Sequence, residues 1–385
     1  MNKVFYFTVA QEQNLFKNYL SNWKVAPNLS NQNFHNKLIR SIGKTHNVEV
    51  ISLRPINENY KDSTLKYQKI KNDRVTWHHV EVKKSKIDKF LLVNGRVNKL
   101  LSSFEIDKND VIIVDTMNYR LLKLAYDFGK KKGLKVIGLC TDNPYNISYT
   151  SKSKNDDLLA IGQKLDGYIS LTPKLNELYN INHKPFVLID GICEIRDYLP
   201  RNEIDTNYIF YGGCLMKKYG LYNLIEAFNE LQLDKTKLVI CGHHEENDFK
   251  SLINQNKDIL YLGAVDSDHI YTLEKHALMA INPRPIDPSI DEYSIPSKTL
   301  EYLAFGVLTI SVDNALLKEK YNDAIIWIKD NEINTLKEAI LKAMSLNKEE
   351  KEKMINKGQE LIKENASFKA VNNKIDSLLL EMGLN

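Results

Sequence analysis

The sequence predicts an α/β protein built from two doubly wound domains with parallel sheets, and three observations carry that prediction. At 385 residues the chain is too long for one ordinary core. Short apolar runs alternate with segments of helical periodicity, the pattern of parallel strands joined by crossover helices. The alternation breaks once, near residues 193–206, where the chain turns polar and Pro-containing (CEIRDYLPRNEIDT) before it restarts. The linker is placed there, with an N-terminal domain over 1–195 and a C-terminal domain over 196–369.

In the first half the expected strands are KVFYFTVA (3–10), NVEVISLR (47–54), RVTWHHVEV (74–82), DVIIVDT (110–116), KVIGLCTD (135–142), DGYISLT (166–172) and KPFVLIDG (184–191). Phe34, Leu38 and Ile42 are spaced as the apolar face of a helix. The polar run Asn28 to Asn33 before it reads as a loop at the carboxyl side of the first strand, where open α/β sheets bind ligands. Ser30 and Asn31 either meet a ligand there or cap and solvate the loop. Asp142 follows a strand and precedes a Pro-bearing turn, so it either faces a cleft or caps the turn. Residues 83–101 carry Lys83, Lys84, Lys86, Lys89, Arg96 and Lys99 against the single acid Asp88. With Ile87, Phe90, Leu91 and Leu101 roughly on one face, this reads as a basic amphipathic helix. Such a helix either touches an anionic membrane surface or packs on the sheet.

Composition narrows the classes. A net charge of +4 is small for this length and does not suggest a nucleic-acid binder. Cys140, Cys193, Cys214 and Cys241 are widely spaced, form no paired metal motif and read as buried free thiols in a reducing cytoplasm. No apolar run approaches the roughly 20 residues of a membrane span, and the N-terminal apolar segment reads as a first buried strand rather than a signal peptide.

The second half restarts with NYIFYGG (207–213), KLVICGH (237–243), ILYLGAV (259–265), ALMAINPR (277–284), VLTISV (307–312) and AIIWIKD (324–330), followed by a charged helical tail. The stretch YSIPSKTLEYLAFG (293–306) organises this half. Pro296 suits a first helical turn, Ser294 or Ser297 can cap it, and Gly306 suits its left-handed stop. Ser297, Lys298 and Glu301 fall near one face of the first turns. A helix start attracts phosphate, and Glu301 can accept from two ribose hydroxyls; equally, the three can simply support their own helix. Three further loops follow strands: Gly212 and Gly213 with Lys217 and Lys218, then Gly242 and His243, then Arg284 between two prolines. Together they place four loops on one edge of a doubly wound sheet.

These segments resemble retaining glycosyltransferases of the GT-B fold, family four, in the bacterial surface-polysaccharide or glycan branch. The resembling residues are YGGCLMKKYGLYNLIEAF, VICGHHE, AINPRP through YSIPSKTLEYLAFGVLTIS and, upstream, APNLSNQNFH, GLCTDNP and DGYISLTPKLNELYN with KPFVLIDGI. They span most of the chain. The resemblance implies two Rossmann-like domains facing a cleft, with a C-terminal helix (370–385) crossing back to the N-terminal domain. It implies transfer of a hexose-type sugar with retention, with no metal or other cofactor required. The donor would be a nucleotide-diphosphate sugar, with UDP expected; the acceptor would be a saccharide, lipid-linked or protein-linked glycan.

By the same resemblance Glu301 would hold the ribose. Lys218 and Arg284 would meet the diphosphate beside Ser297 and Lys298. Gly242, His243 and Val265 would line the base, and Gly213 would admit the ligand. Ser30 and Asn31 would close on the phosphates and acceptor, and Asp142 would lie beside the sugar. Asp142, Lys218, Arg284 and Glu292 form the expected catalytic set.

Two departures bear on this. Family members place two glutamates eight apart, whereas Glu292 precedes Glu301 by nine and Tyr293 holds the usual position. Cys214 stands where many members carry Arg. The leaving phosphate would help deprotonate the acceptor on the same face, so no protein nucleophile is required. The competing readings are a non-catalytic partner subunit and a nucleotide-sugar epimerase or phosphorylase. Peripheral membrane contact through 83–101 and a homo-oligomer are both left open. Neither the sugar nor the acceptor is legible.

Overall fold

The computed structural model describes residues 3–24, 29–146, 151–196, 200–243 and 246–384; the side chain of Phe90 is not described. The middle of the expected linker (197–199) and Asn28 therefore lie outside the described residues. The chain divides into two compact units, Met1–Ile192 with Phe368–Asn385, and Cys193–Ser367. The chain crosses between them twice, and the second unit ties its two ends together: the Cys193 N–H donates to the Ala366 carbonyl at 2.7 Å, and Cys193 pairs with Ser367.

The strands of the first unit are β1 (Lys3–Thr8), β2 (Asn47–Ser52), β3 (Thr64–Leu65), β4 (Gln68–Asn72), β5 (Val75–His79), β6 (Val82–Lys83), β7 (Val111–Asp115), β8 (Lys135–Cys140), β9 (Gly167–Ser170) and β10 (Phe186–Leu188). Eight form a sheet in the order β10-β9-β8-β7-β1-β2-β5-β4, and β3 pairs with β6 separately. The seven expected strands are present. The expectation of a wholly parallel sheet is corrected at one edge, where β4 pairs antiparallel with β5. Its sequence, QKIKN, is mostly exposed and carries no apolar signal; Asp73, at φ 52°, makes the hairpin turn.

Two further expectations are corrected in this unit. Ser30 and Asn31 do not lie on a loop, because the helix Leu29–Ile42 already includes them. Its start is fixed by amides that hold the backbone of Gln11: Gln32 exchanges two 2.8 Å hydrogen bonds with it, and Asn36 donates to its carbonyl at 2.9 Å. Residues 83–101 are not one helix with one apolar face. Lys83 belongs to β6, and helix begins after it, through a π-helical turn Asp88–Leu92 into Val93–Ser102. Val93, Val97 and Leu101 are buried, whereas Ile87, Leu91 and Leu92 are exposed. The π turn shifts the face, so Leu101 and Leu91 point to different environments.

The last helix, Phe368–Glu381, belongs to the first unit. Its Val371, Ile375, Leu378 and Leu379 are buried in one core with Val4, Tyr6, Leu38, Val50 and Ile113. Asp376 Oδ1 lies 2.7 Å from His46 Nε2, and Asn372 donates to Thr45 Oγ1 at 2.8 Å.

The second unit holds β11 (Asn207–Cys214), β12 (Thr236–His243), β13 (Ile259–Tyr261), β14 (Met279–Asn282), β15 (Thr309–Val312) and β16 (Ile325–Ile328), in the order β13-β12-β11-β14-β15-β16. All adjacent pairs are parallel. One core cluster joins the helices Leu221–Leu231 and Ile333–Ser345 to the sheet, and two others take in the helix Ser297–Phe305. Cys140, Cys193 and Cys241 are buried free thiols, and Cys214 is half-buried.

Ile375→Ala is expected to lower the stability of the first unit by about 2–5 kcal/mol, the range for such core truncations. Urea unfolding separates the units by fluorescence, since Trp23 and Trp77 lie in the first and Trp327 in the second. An unchanged first-unit transition would place the last helix outside that core.

Candidate functional site

In the second unit the strand order reverses at the β11/β14 pair, the kind of switch point where open α/β sheets take ligands. Three contacts hold the helix Ser297–Phe305 against the strand ends there. Tyr302, wholly buried, accepts the Gly212 N–H at 3.2 Å and so grips the end of β11. Asn282, the last residue of β14, donates to Thr299 Oγ1 at 2.9 Å. Thr299 Oγ1 also lies 3.3 Å from Ser311 Oγ on β15. Two glycines permit the close backbone approach. Gly220 has φ 81°, and a Cβ there would come within 2.0 Å of the Pro283 carbonyl oxygen. Gly242 has φ 157°, and a Cβ there would sit 1.9 Å from the Gly213 carbonyl oxygen. The first contact seats the Lys217–Tyr219 turn against the segment that carries Arg284; the second keeps the ends of β11 and β12 in register, Gly213 against Gly242 and Cys214 against His243.

The start of the Ser297–Phe305 helix differs from expectation. Pro296 occupies the capping position, with no side-chain cap, so neither Ser294 nor Ser297 caps it. Ser297 is exposed in the first turn. A helix start without a side-chain cap keeps its positive end available to an anion. Lys298 reaches Glu301 at 2.8 Å, one turn on, and Glu301 is mostly buried. Gly306 ends the helix left-handed at φ 72°.

The basic groups divide. Lys217 is engaged by Asp248 at 2.7 Å. Lys218 is exposed, lies over the Tyr219 ring at 5.2 Å and has no ion pair among the described residues. Arg284 is not free: its Nη2 meets Asp291 Oδ1 at 2.8 Å, and Asp291 also accepts the Asp287 N–H at 2.8 Å. The loop is thereby stiffened, and among the described residues only Nη2 of the guanidinium fork is shown engaged. Glu292 is exposed at the end of the short helix Pro288–Asp291, and the Tyr293 N–H donates to the Ile290 carbonyl. His243 ends β12, and Val265 packs half-buried against the core that holds Tyr302. His244 and Glu245 lie outside the described residues.

In the first unit the switch point falls at β1/β7; the sequence places Asp115 at a strand end there but does not reveal the partners that gather on it. Asp115 ends β7, buried, with His35 Nε2 at 3.2 Å. The Asp115 carboxylate accepts the Met117 N–H at 2.9 Å and the Asn31 side-chain N–H at 3.4 Å. Tyr6 lies 2.8 Å from His35 Nδ1. Burial alone would raise the Asp115 carboxyl; the His35 contact, helped by Met117 and Asn31, outweighs it and holds it below the usual value. Asp142 ends the next strand's loop. It keeps solvent access although protein surrounds it, and desolvation first, then the Asp115 charge, pushes its pKa up to about 6. Among the described residues no three His, Cys, Asp or Glu side chains gather as a metal-binding group, and no helix is long and apolar enough to cross a membrane.

Residues 195–361 match the family described as Glycosyl transferases group 1. Among solved structures, the chain is similar to the sucrose-phosphate synthase of Thermosynechococcus elongatus, with TM-score 0.71 and 11% identity, covering 100% of this chain and 99% of that one. A trehalose-6-phosphate protein from E. coli bound with UDP-2-fluoro glucose gives TM-score 0.68 at 11% identity, over 98% of each chain. The UDP-forming trehalose-phosphate synthase of Burkholderia xenovorans, in complex with glucose-6-phosphate, gives 0.69 at 10% identity, over 99% and 100%. No curated protein sequence matches. The fold is GT-B, with two Rossmann-like sheets that are parallel except at the β4 edge, and residues 195–361 carry the glycosyl transferase group 1 signature.

The Asp142 shift makes a stability prediction. Its ordinary value is 3.8, so the unfolded chain ionises first and wild type loses stability as pH rises from about 4 through 6. Asp142→Asn escapes that loss. Its urea midpoint relative to wild type is expected to rise between pH 4 and pH 7, by an amount tempered by solvent access; a pH-independent difference would reject the assignment.

Proposed function

We propose that this GT-B glycosyltransferase moves a hexose-type sugar, with retention, from a UDP-sugar to a saccharide, lipid-linked or protein-linked glycan in polysaccharide biosynthesis. One observation carries the reading: a helix start without a side-chain cap, Lys218 with no ion pair among the described residues, Arg284 and Glu301 all lie on segments that follow or pack on the strands meeting at the switch point of the second sheet. That grouping suits a nucleoside diphosphate. The structural relative that holds UDP-2-fluoro glucose supports UDP as the nucleotide.

Glu301 would accept from the ribose hydroxyls, with Lys298 held at its side. Lys218 and Arg284 would carry the diphosphate charge, aided by Ser297, without a metal. Gly213, Gly242, His243 and Val265 would form the wall against the base, and Glu292 and Tyr293 would lie toward the sugar. In the first unit Asp142, Ser30 and Asn31 would meet the acceptor, with Asp115 fixing Asn31. The leaving diphosphate would take the acceptor proton, so catalysis is positioning and charge stabilisation.

The exposed Ile87, Leu91 and Leu92, flanked by Lys83, Lys84, Lys86 and Lys89, support peripheral contact of a cytoplasmic enzyme with an anionic membrane face.

Calorimetry with UDP, GDP and ADP in EDTA tests the donor site. UDP is expected to bind, and Glu301→Ala and Lys218→Ala each to weaken binding by more than about 1 kcal/mol; unchanged affinity in both rejects the site. In liposome flotation, Leu91→Ser combined with Lys86→Glu and Lys89→Glu is expected to lose binding to anionic vesicles. Wild-type flotation by that variant would end the membrane reading.

A further inference from the structure

The first unit contains a pocket that the donor chemistry leaves unused. It has a volume of about 150 Å³ and is lined by Asn18, Tyr19, Arg54, Tyr60, Thr64 and Gln68 among others. Arg54 follows the end of β2 by two residues, which puts it at the carboxyl edge of the sheet. Leu53 and Ser52 fix that exit: the Leu53 N–H donates to the Thr8 carbonyl at 2.9 Å, and Ser52 Oγ donates to the Ala10 carbonyl at 2.6 Å.

Arg54 is only 4% exposed. Its terminal nitrogens donate to the Lys66 carbonyl and, at 3.3 Å, to Gln68 Oε1. Its Nε is buried without a partner, and among the described residues no carboxylate stands within ion-pair distance. A guanidinium withdrawn from water and given only neutral acceptors is costly, because desolvation is not offset by an opposite charge. The surroundings register it. Burial lowers the Arg54 pKa to about 10. His79, wholly buried with neither ring nitrogen bonded, is held near 3, by burial first and the Arg54 charge second.

The pocket thus offers one half of an ion pair. A planar guanidinium fork matches a carboxylate or a phosphate. The other walls are two stacked tyrosines, Tyr19 and Tyr60, with ring centroids 5.1 Å apart, and the amide and hydroxyl groups of Asn18, Thr64 and Gln68. An aromatic wall among small polar groups suits a polyhydroxylated ring.

We propose that this pocket binds an acidic saccharide through its carboxylate or phosphate, with Arg54 as the counter-ion. The saccharide half rests on the transferase reading; the anion half rests on Arg54 alone.

The full chain, with and without saturating UDP, is titrated by calorimetry with glucuronate, glucose 6-phosphate, inorganic phosphate and glucose, and hydrogen exchange is followed over residues 54–68. At least one acidic sugar is expected to bind tenfold or more tighter than glucose, in both the presence and absence of UDP, and to slow exchange in that segment. The stronger of glucuronate and glucose 6-phosphate identifies the anion. Arg54→Gln is expected to lose tenfold or more. If that variant fails to fold, Thr64→Trp, which fills the pocket from a half-buried position, is expected to abolish binding instead. Equal affinity for acidic sugar and glucose, no binding, protection confined to other segments, or retained affinity in a folded variant overturns the proposal. Inorganic phosphate binding as tightly as glucose 6-phosphate overturns its saccharide half. Because the donor site is read independently through UDP, failure of the pocket leaves the donor reading standing, and failure of the donor reading leaves the anion half of the pocket standing.

Discussion

The second unit depends on how one nine-residue helix is fastened to three strand ends. Tyr302 holds the Gly212 amide, and Thr299 stands between Asn282 and Ser311. These contacts are buried, the Asn282 one partly so, and a buried polar group that loses its partner costs about 1–3 kcal/mol. The helix therefore cannot slide without breaking several at once. Its first turn carries Ser297 and Lys298, and Glu301 lies one turn in, so a fixed helix means fixed chemistry. Close backbone approach adds to this: Gly242 lies against Gly213, and Gly220 against the Pro283 carbonyl next to Arg284. Position here comes from side chains whose polar groups are taken up within the protein.

The first unit builds its edge by charge instead. Asp115, His35 and Tyr6 form a buried chain of contacts below Asn31, and the negative charge of Asp115 is felt by Asp142. A short distance along the same edge Arg54 lies buried with neutral partners only. One sheet edge thus holds a satisfied carboxylate at β7 and an unsatisfied cation beyond β2. Binding chemistry is better supplied by the second, since a group already paired has less to gain from a ligand.

Much of the architecture was legible because buried parallel strands advertise themselves. VIIV (111–114) and LVIC (238–241) are apolar without interruption, and such runs have few other uses. Gly306 was legible for a similar reason, since its left-handed backbone restricts the residue. The rest failed where the determining partner lies far away in sequence. QKIKN is a strand only because β5 lies beside it. The start of the Leu29–Ile42 helix depends on amides reaching Gln11. His35 gains its meaning from Asp115, and Arg54 from the absence of an acid that no local pattern could reveal. The basic segment after Lys83 misled because a π turn rotates its apolar residues out of phase, which periodicity at 3.6 residues does not anticipate.

The helix Phe368–Glu381 has a consequence for biosynthesis. Its buried face completes a core shared with β1, so β1 waits for a helix made after the whole of the second unit. Domains usually fold in the order in which they leave the ribosome. Here Cys193–Ser367 has its whole sequence available while the first unit still lacks part of its interior. The nascent N-terminal sheet must therefore expose an apolar strip for the time needed to add roughly 180 residues, about 10–40 s at ordinary elongation rates. During that interval the chain is a natural client for chaperones, even though its finished form buries that strip completely.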